Sequence, residues 1–445
     1  MHLLNRRDFL KWSTAVAAAA PFASSRRLLS MPQDPATGAS ALVVIYLRGG
    51  ADALHSVAPY KDPEYAMNRP TLGMSAESGL IPLDDMFGLH PAMAALRPAW
   101  DAKMFAPIVC SGSPHSTRSH FDAQDWMEFA APGVRTLRDG WLNRYLQVTA
   151  KSGASEFRAL GMQDLLPRSL RGGYPVLAVP SNLDRNRGGK TLDKFENFYG
   201  DGSDMMEGGA DMQGAREDDG TGVVDSGRMT IETLRRFTEI IYGPAPSASV
   251  GDERISPRER RRRRLEEEGK TAAKPAMSYP QSQFGGRMSM IAKVMLAGEG
   301  LEIAGVDYGG WDDHTGAGAA EGKTATRLRD LAQGLAAFAA ELGPVMDQTT
   351  VLVMSEFGRN VHENGNGGTD HGHGGTMFVL GGGVKGGQVH GKFDGLAAKN
   401  LYQGRDLPVT TDFRDVFAAC LERSFAFECP KEFFPDYKPG KLKLF

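Results

Sequence analysis

The chain holds 10 histidines, and apart from His2 nearly all of them fall in or beside loops that follow candidate strands. Asp312 and His314 stand two apart, so in an extended segment they point to one side and offer an oxygen and a nitrogen to one divalent metal. The same spacing joins His371 and His373 in the run GTDHGHGG. There the glycines let backbone approach closely, and Asp370 is either a ligand or a partner that fixes a histidine tautomer. Asp52 and Glu356 sit at the ends of the two clearest strand candidates. Together Asp52, Asp312, His314, Glu356, Asp370, His371 and His373 make a cage of carboxylates and imidazoles for a divalent ion: zinc, manganese or calcium. Taken singly, each has a plainer reading: Asp370, His371 and His373 as loop residues bonding to backbone, Asp312 as a helix cap. Separate strand-end loops that all carry Asp, Glu or His favour a shared site.

A nucleophile has a candidate place in HSTRSHFDAQD, residues 115–125. A hydroxyl at a helix start, close to an arginine and a metal, has its alkoxide stabilised by positive field, and exposed N–H groups there bind phosphate or sulfate oxygens. Ser116 or Ser119 would be that nucleophile and Arg118 the clamp on the anion. In the alternative, Ser113 or Ser116 is an N-cap and His120 a packed histidine. Arg359 divides in the same way between an anion contact and a structural ion pair.

These residues need a frame that brings distant loops to one edge. Residues 41–47 (ALVVIYL) form a continuous apolar run that empties into RGGAD, the pattern of a strand covered on both faces. Residues 104–110 form a second run, after which Pro114 following Ser113 marks a helix start. Further strands are expected at 174–179, 301–306, 349–354 and 376–380, with a crossover helix at 326–342 and a closing helix at 411–425. Strand, helix and strand in alternation predict an α/β fold with a mostly parallel central sheet and helices on both faces. Residues 40–445 are read as one domain, with a surface insertion at about 200–282. Inside it, 228–242 read as helical, and Arg260 to Arg264 followed by Glu266 to Glu268 as a solvated helix or a basic patch.

The ends and the composition bound the setting. Asn5-Arg6-Arg7-Asp8-Phe9-Leu10-Lys11, followed by a weakly apolar run from Trp12 to Ala23, is the layout of a twin-arginine signal, assigned to residues 1–30. Ala18 and Ala20 offer a cleavage site near Pro21, with Ala23 as the other choice. The translocase is thus an expected partner, and a periplasmic or extracellular location follows. No later apolar run reaches membrane-spanning length. Lys and Arg total 51 against 54 Asp and Glu, a balance that gives no basic field for nucleic acid. Three cysteines, Cys110, Cys420 and Cys429, exclude a disulfide scaffold and leave a Cys420 to Cys429 bridge open.

Six phrases in order, LRGGADALHSVAPY, SPHSTRSHFDAQDWME, GWLNRYL, GGWDDHTGA, SEFGRNVHENGNGGTDHGHGG and TDFRDVFAACL, resemble an exported bacterial family, domain-of-unknown-function family 1501. By resemblance that family belongs with the alkaline phosphatases and sulfatases. The resemblance implies an alkaline-phosphatase-like sandwich in which Asp52 is the first carboxylate, Asp312 and His314 the middle pair and His371 or His373 the late ligand. It implies hydrolysis of a phosphate or sulfate ester, and the leading expectation is such a hydrolase, with a polysaccharide or lipid as one candidate substrate. The chain departs from it twice. Ser355-Glu356-Phe357 replaces the Asp-His of the phosphatases, and no Cys or Ser has Pro two later and Arg four later, as sulfatases do. Two rival expectations stand beside the hydrolase: a non-catalytic exported binding protein, and a metal-independent serine hydrolase with His120 or His371 as base.

Overall fold

The computed structural model describes residues 40–180, 221–243 and 277–445. The signal segment, the Arg-rich run and much of the expected insertion lie outside them. The central sheet has eight strands: β1 Ala41–Arg48, β2 Phe105–Gly112, β3 Ala159–Gly161, β4 Leu177–Ala178, β5 Ile303–Gly309, β6 Thr349–Met354, β7 Gly375–Gly381 and β8 Thr411–Asp412, in the order β8-β2-β7-β6-β1-β5-β3-β4. β1 lies between β5 and β6, parallel to both. Only β7 runs against its neighbours, β2 and β6. The sheet is therefore mostly parallel, and the fold is α/β as expected.

Among the described residues the longer helices are α1 His120–Phe129, α2 Trp141–Val148, α3 Thr221–Tyr242, α4 Gln283–Leu296, α5 Lys323–Leu342 and α6 Phe413–Phe425. β1 is apolar from Ala41 to Leu47 because both its faces are covered. Val43, Ile45 and Leu47 pack with Phe284 and Met288 of α4 and Leu331 and Phe338 of α5. Leu42, Val44 and Tyr46 pack with Trp141 of α2 and Phe417 of α6, whose rings stack at 4.1 Å. Along α5, Leu328, Leu331, Leu335, Phe338 and Leu342 are buried, one stripe at three- and four-residue spacing.

Three expectations shift. The helix after β2 starts at His120, not at Pro114. Side chains claim the intervening backbone: Ser113 Oγ accepts from His115 N, His115 Nδ1 from Thr117 N, and Thr117 Oγ1 from Ser119 N. Such local bonds compete with helix. The strand expected at 174–179 shrinks to Leu177–Ala178 at the sheet edge. Cys420 and Cys429 are unbonded, as is Cys110. Among the described residues no helix is long and apolar enough to cross a membrane.

Two buried histidines brace the loop before α5. The rings of His55 and His90 stack at 5.2 Å, and both Nε2 atoms donate to the Ala319 carbonyl, at 3.2 and 3.0 Å. His90 Nδ1 accepts from Ala92 N, so His90 is held neutral, and burial brings its pKa down from 6.5 to about 4. Because the folded pKa lies below the unfolded one, this contribution is intact above about pH 6.5 and is lost as pH falls toward 4. His90→Asn, which keeps a capping oxygen, is expected to remove about 3 kcal/mol of acid destabilisation across that window. Denaturant titrations at neutral pH and near pH 4 measure it; an unchanged acid limb would count against His90 as its source.

Candidate functional site

The parallel strands β1, β5 and β6 all end at one edge, where ligands bind in open α/β sheets. β7 enters the sheet from that same edge because it runs the other way. The 355–374 excursion from β6 to β7 therefore never leaves the site. Its two arms are fastened by Gly358 N to the His373 carbonyl and Gly372 N to the Gly358 carbonyl, each 2.9 Å. A side chain at Gly372 would run into the backbone of Arg359. Across from this excursion, Gly49 turns the chain after β1 with φ of +125°, and a Cβ there would lie 2.6 Å from Asp312 N.

Three imidazoles and one carboxylate oxygen converge at this edge. His371 Nε2 lies 3.0 Å from His120 Nε2 and 2.9 Å from His314 Nε2. Asp312 Oδ1 faces the same three nitrogens at 3.4 Å from His120, 3.0 Å from His314 and 3.1 Å from His371. The ligand atoms of His120, Asp312 and His371 lie within 4.8 Å of one another, and His314 joins them through the other two.

The far side of each ring decides where its lone pair points. His120 Nδ1 meets Glu356 Oε1 at 2.8 Å, His314 Nδ1 meets Asp370 Oδ1 at 3.2 Å, and His371 Nδ1 meets the Arg118 carbonyl at 2.8 Å. Carboxylates and a carbonyl only accept, so each Nδ1 carries a proton. In the neutral rings all three Nε2 lone pairs then face one another and Asp312, a set of donors with a shared focus. Protonating them instead would set imidazolium ions about 3 Å apart, a repulsion of about 5 kcal/mol per pair at an effective dielectric of ~20. A cation seated among them removes that conflict. Three nitrogens and one oxygen suit zinc or manganese, whereas calcium takes oxygen ligands.

The charges around this focus are fixed by burial and partners. Burial opposes ionisation of Asp312, but the bond and charge of Arg359 outweigh it and bring the carboxyl to about 2. Glu356 is buried, yet its bonds from His120 and Gln124 hold its pKa below the ordinary value. Glu356 in turn raises the His120 pKa, while burial lowers that of His371. Arg359, itself buried, donates to the carbonyls of Gly50 (2.6 Å), Thr369 (2.9 Å), Trp311 (3.1 Å) and Gly49, and to Asp312 Oδ1 (2.6 Å).

Of the residues singled out in the sequence, Asp312, His314 and His371 meet at the focus. Glu356 and Asp370 stand one layer back, each behind a histidine. Asp52 is elsewhere: it caps Leu54 N and His55 N, takes both terminal nitrogens of Arg69 at 2.7 and 3.1 Å, and accepts from Thr369 Oγ1. Arg69 outweighs burial and keeps Asp52 charged. His373 turns away from His371 and stacks on Tyr402 at 4.1 Å, and burial brings its pKa to about 4. The Arg118 guanidinium is taken by Asp406 and Gln403; only its carbonyl reaches the site. Ser116 and Ser119 are exposed. Among the described residues neither hydroxyl bonds to a ring nitrogen of His120, His314 or His371.

His120 is the member whose role the sequence left open. The usable signal was Gln124, one helical turn further on the same face, whose amide reaches Glu356 Oε1 at 2.9 Å.

Removing the Arg359 side chain should leave Asp312 and four carbonyls without their shared donor. Arg359→Ala is expected to cost about 3–5 kcal/mol of folding stability, the range for breaking a buried charge pair. Chemical denaturation measures it, and a loss below about 1 kcal/mol would assign the bracing elsewhere.

Residues 250–431 match the model of a family described as "Protein of unknown function (DUF1501)". That span holds Asp312, His314, Glu356, Arg359, Asp370 and His371 and leaves out His120. No curated protein matches the chain, and no solved structure does. Residues 3–20 match the twin-arginine translocation signal sequence, so the chain is exported by that pathway to the periplasm or beyond.

Proposed function

We propose that the chain is an exported, metal-dependent hydrolase of phosphate or sulfate esters, with one divalent ion held by His120, His314, His371 and Asp312. The observation that carries this is the convergence of three Nε2 atoms whose Nδ1 protons are each engaged by an acceptor behind them. Zinc or manganese suits these donors; the calcium also considered from the sequence does not. A bound ion there would supply Lewis acidity to an ester oxygen and to water. The alkaline-phosphatase-like resemblance supports the same reading, since its carboxylates and histidines are likewise expected at strand ends.

The protein's own groups have distinct parts in this reading. Glu356 and Asp370 orient His120 and His314, and the Arg118 carbonyl orients His371. Arg359 keeps Asp312 ionised and aimed at the focus. The open side is lined by Asp312 and His314, with side chains 46% and 41% exposed, so a bulky ester on a polysaccharide or lipid can approach. Water is the nucleophile we favour over Ser116 or Ser119, whose hydroxyls do not reach the histidines.

The commitment of Arg118 to Asp406 favours a second reading, a non-catalytic exported binding protein, because it removes the expected anion clamp. Metal analysis of the exported chain separates the two. We expect stoichiometric zinc or manganese, lost in Asp312→Ala and His371→Ala and bound roughly 10–100-fold more weakly in Glu356→Gln. Aryl phosphate and aryl sulfate esters then test turnover. Metal without turnover of either ester would leave the binding protein; no metal, even after adding each ion, would remove both the site and the hydrolase.

A further inference from the structure

A cavity opens at the end of β5, on the side covered by α4 and α5. It measures about 430 Å³ and is lined by Phe284, Arg287, Asp307, Tyr308, Thr326 and Asp330, among others, a size within the range of small-molecule sites. Arg287 has donors to spare. Its Nη1 bonds to the Asp307 carbonyl at 2.8 Å, and no carboxylate among the described residues forms an ion pair with it. A guanidinium offers five N–H donors, more than the Asp307 carbonyl takes up.

The lining narrows the class of ligand. A simple anion would meet Arg287 but also Asp330, and a simple cation would meet the reverse conflict; the Asp307 carboxylate is already taken by Arg48 and Gln163. A neutral molecule with both donors and acceptors satisfies the guanidinium and the carboxylate of Asp330 together. Part of the lining is aromatic: the Phe284 and Tyr308 rings stack on each other at 4.8 Å and 9°. Hydroxyls around an apolar ring face match that combination of aromatic and polar groups.

We infer that this cavity is a subsite for a polyhydroxylated ring, a sugar unit, adjoining the metal centre. Asp307 and Asp312 are five residues apart, so their Cα atoms are separated by at most about 17 Å. A glycan bearing the ester at one unit can therefore lodge another unit in the cavity. This assignment of the ligand as part of the substrate rests on the hydrolase reading; the binding of sugar to the cavity does not.

The test is calorimetry on the exported, metal-loaded chain, titrated with methyl glycosides of the common hexoses and pentoses, with their disaccharides and with inorganic sulfate. Saccharide binding is expected, weakened at least tenfold in Arg287→Gln and in Asp330→Asn, with metal content and melting temperature of the Asp330→Asn variant unchanged. It is also expected to persist in His371→Ala stripped of metal, so that failure of the hydrolase reading leaves this result standing. No binding of any saccharide at millimolar concentration, or binding that both cavity variants retain, would overturn the subsite. Sulfate binding as tightly as the saccharides would overturn the choice of a neutral ligand.

Discussion

The site depends on one buried guanidinium. Arg359 binds carbonyls of Gly49 and Gly50 after β1, Trp311 after β5 and Thr369 before β7, together with the Asp312 carboxylate. Three loops, two of them far from Arg359 in sequence, are thereby held to one cation. Carbonyls cluster poorly on their own, because their dipoles repel and each wants a donor. A single planar fork of donors answers them at once, and the ion pair with Asp312 balances its charge. The position of Asp312 is thus a by-product of loop closure, and so is the place where the histidines meet.

Around that anchor, selection of the tautomer does what coordination geometry alone could not. An imidazole can present a proton or a lone pair, and which one it presents is decided by the acceptor on its other nitrogen. Here those acceptors come from three different kinds of group: buried Glu356, solvent-facing Asp370 and a main-chain carbonyl. Glu356 is the stiffest of them. Its Oε1 also takes Gly49 N and the Gln124 amide, and its Oε2 takes the Ser355 hydroxyl. His120 is therefore oriented by a carboxylate that has no freedom of its own.

Much of the frame was legible in the sequence, because strands buried on both faces leave uninterrupted apolar runs. Residues 349–354 and 41–47 are cases of this, and the structure reproduces them within a residue. The site was legible only in part. Asp312, His314 and His371 announce themselves by type and by loop position. Asp52 announces itself in the same way, yet it serves Arg69, and a carboxylate at a strand end reads alike whether it faces a metal or a guanidinium. The spacing rule that joined His371 to His373 presumes extended chain, whereas the close approach of Gly372 to Arg359 turns the segment and sends His373 to Tyr402. His120 was ambiguous because its partners Glu356 and His371 lie 236 and 251 residues away. Such pairings follow from topology, and local pattern does not carry them.

The antiparallel strand explains why so few residues suffice. Had β7 run parallel, the chain after Arg359 would have crossed to the opposite edge before re-entering, and His371 would have been delivered far from His314. Reversal keeps Glu356, Arg359, Asp370 and His371 within one loop that leaves and returns at the same edge. The polar chain continues outward from it: Gln124 accepts from Arg48, and Arg48 pairs with buried Glu128 and with Asp307. Each of these contacts satisfies a group that would be costly to bury alone. His120 and the polar end of β5 beside the cavity under α4 and α5 are consequently joined by one hydrogen-bonded network.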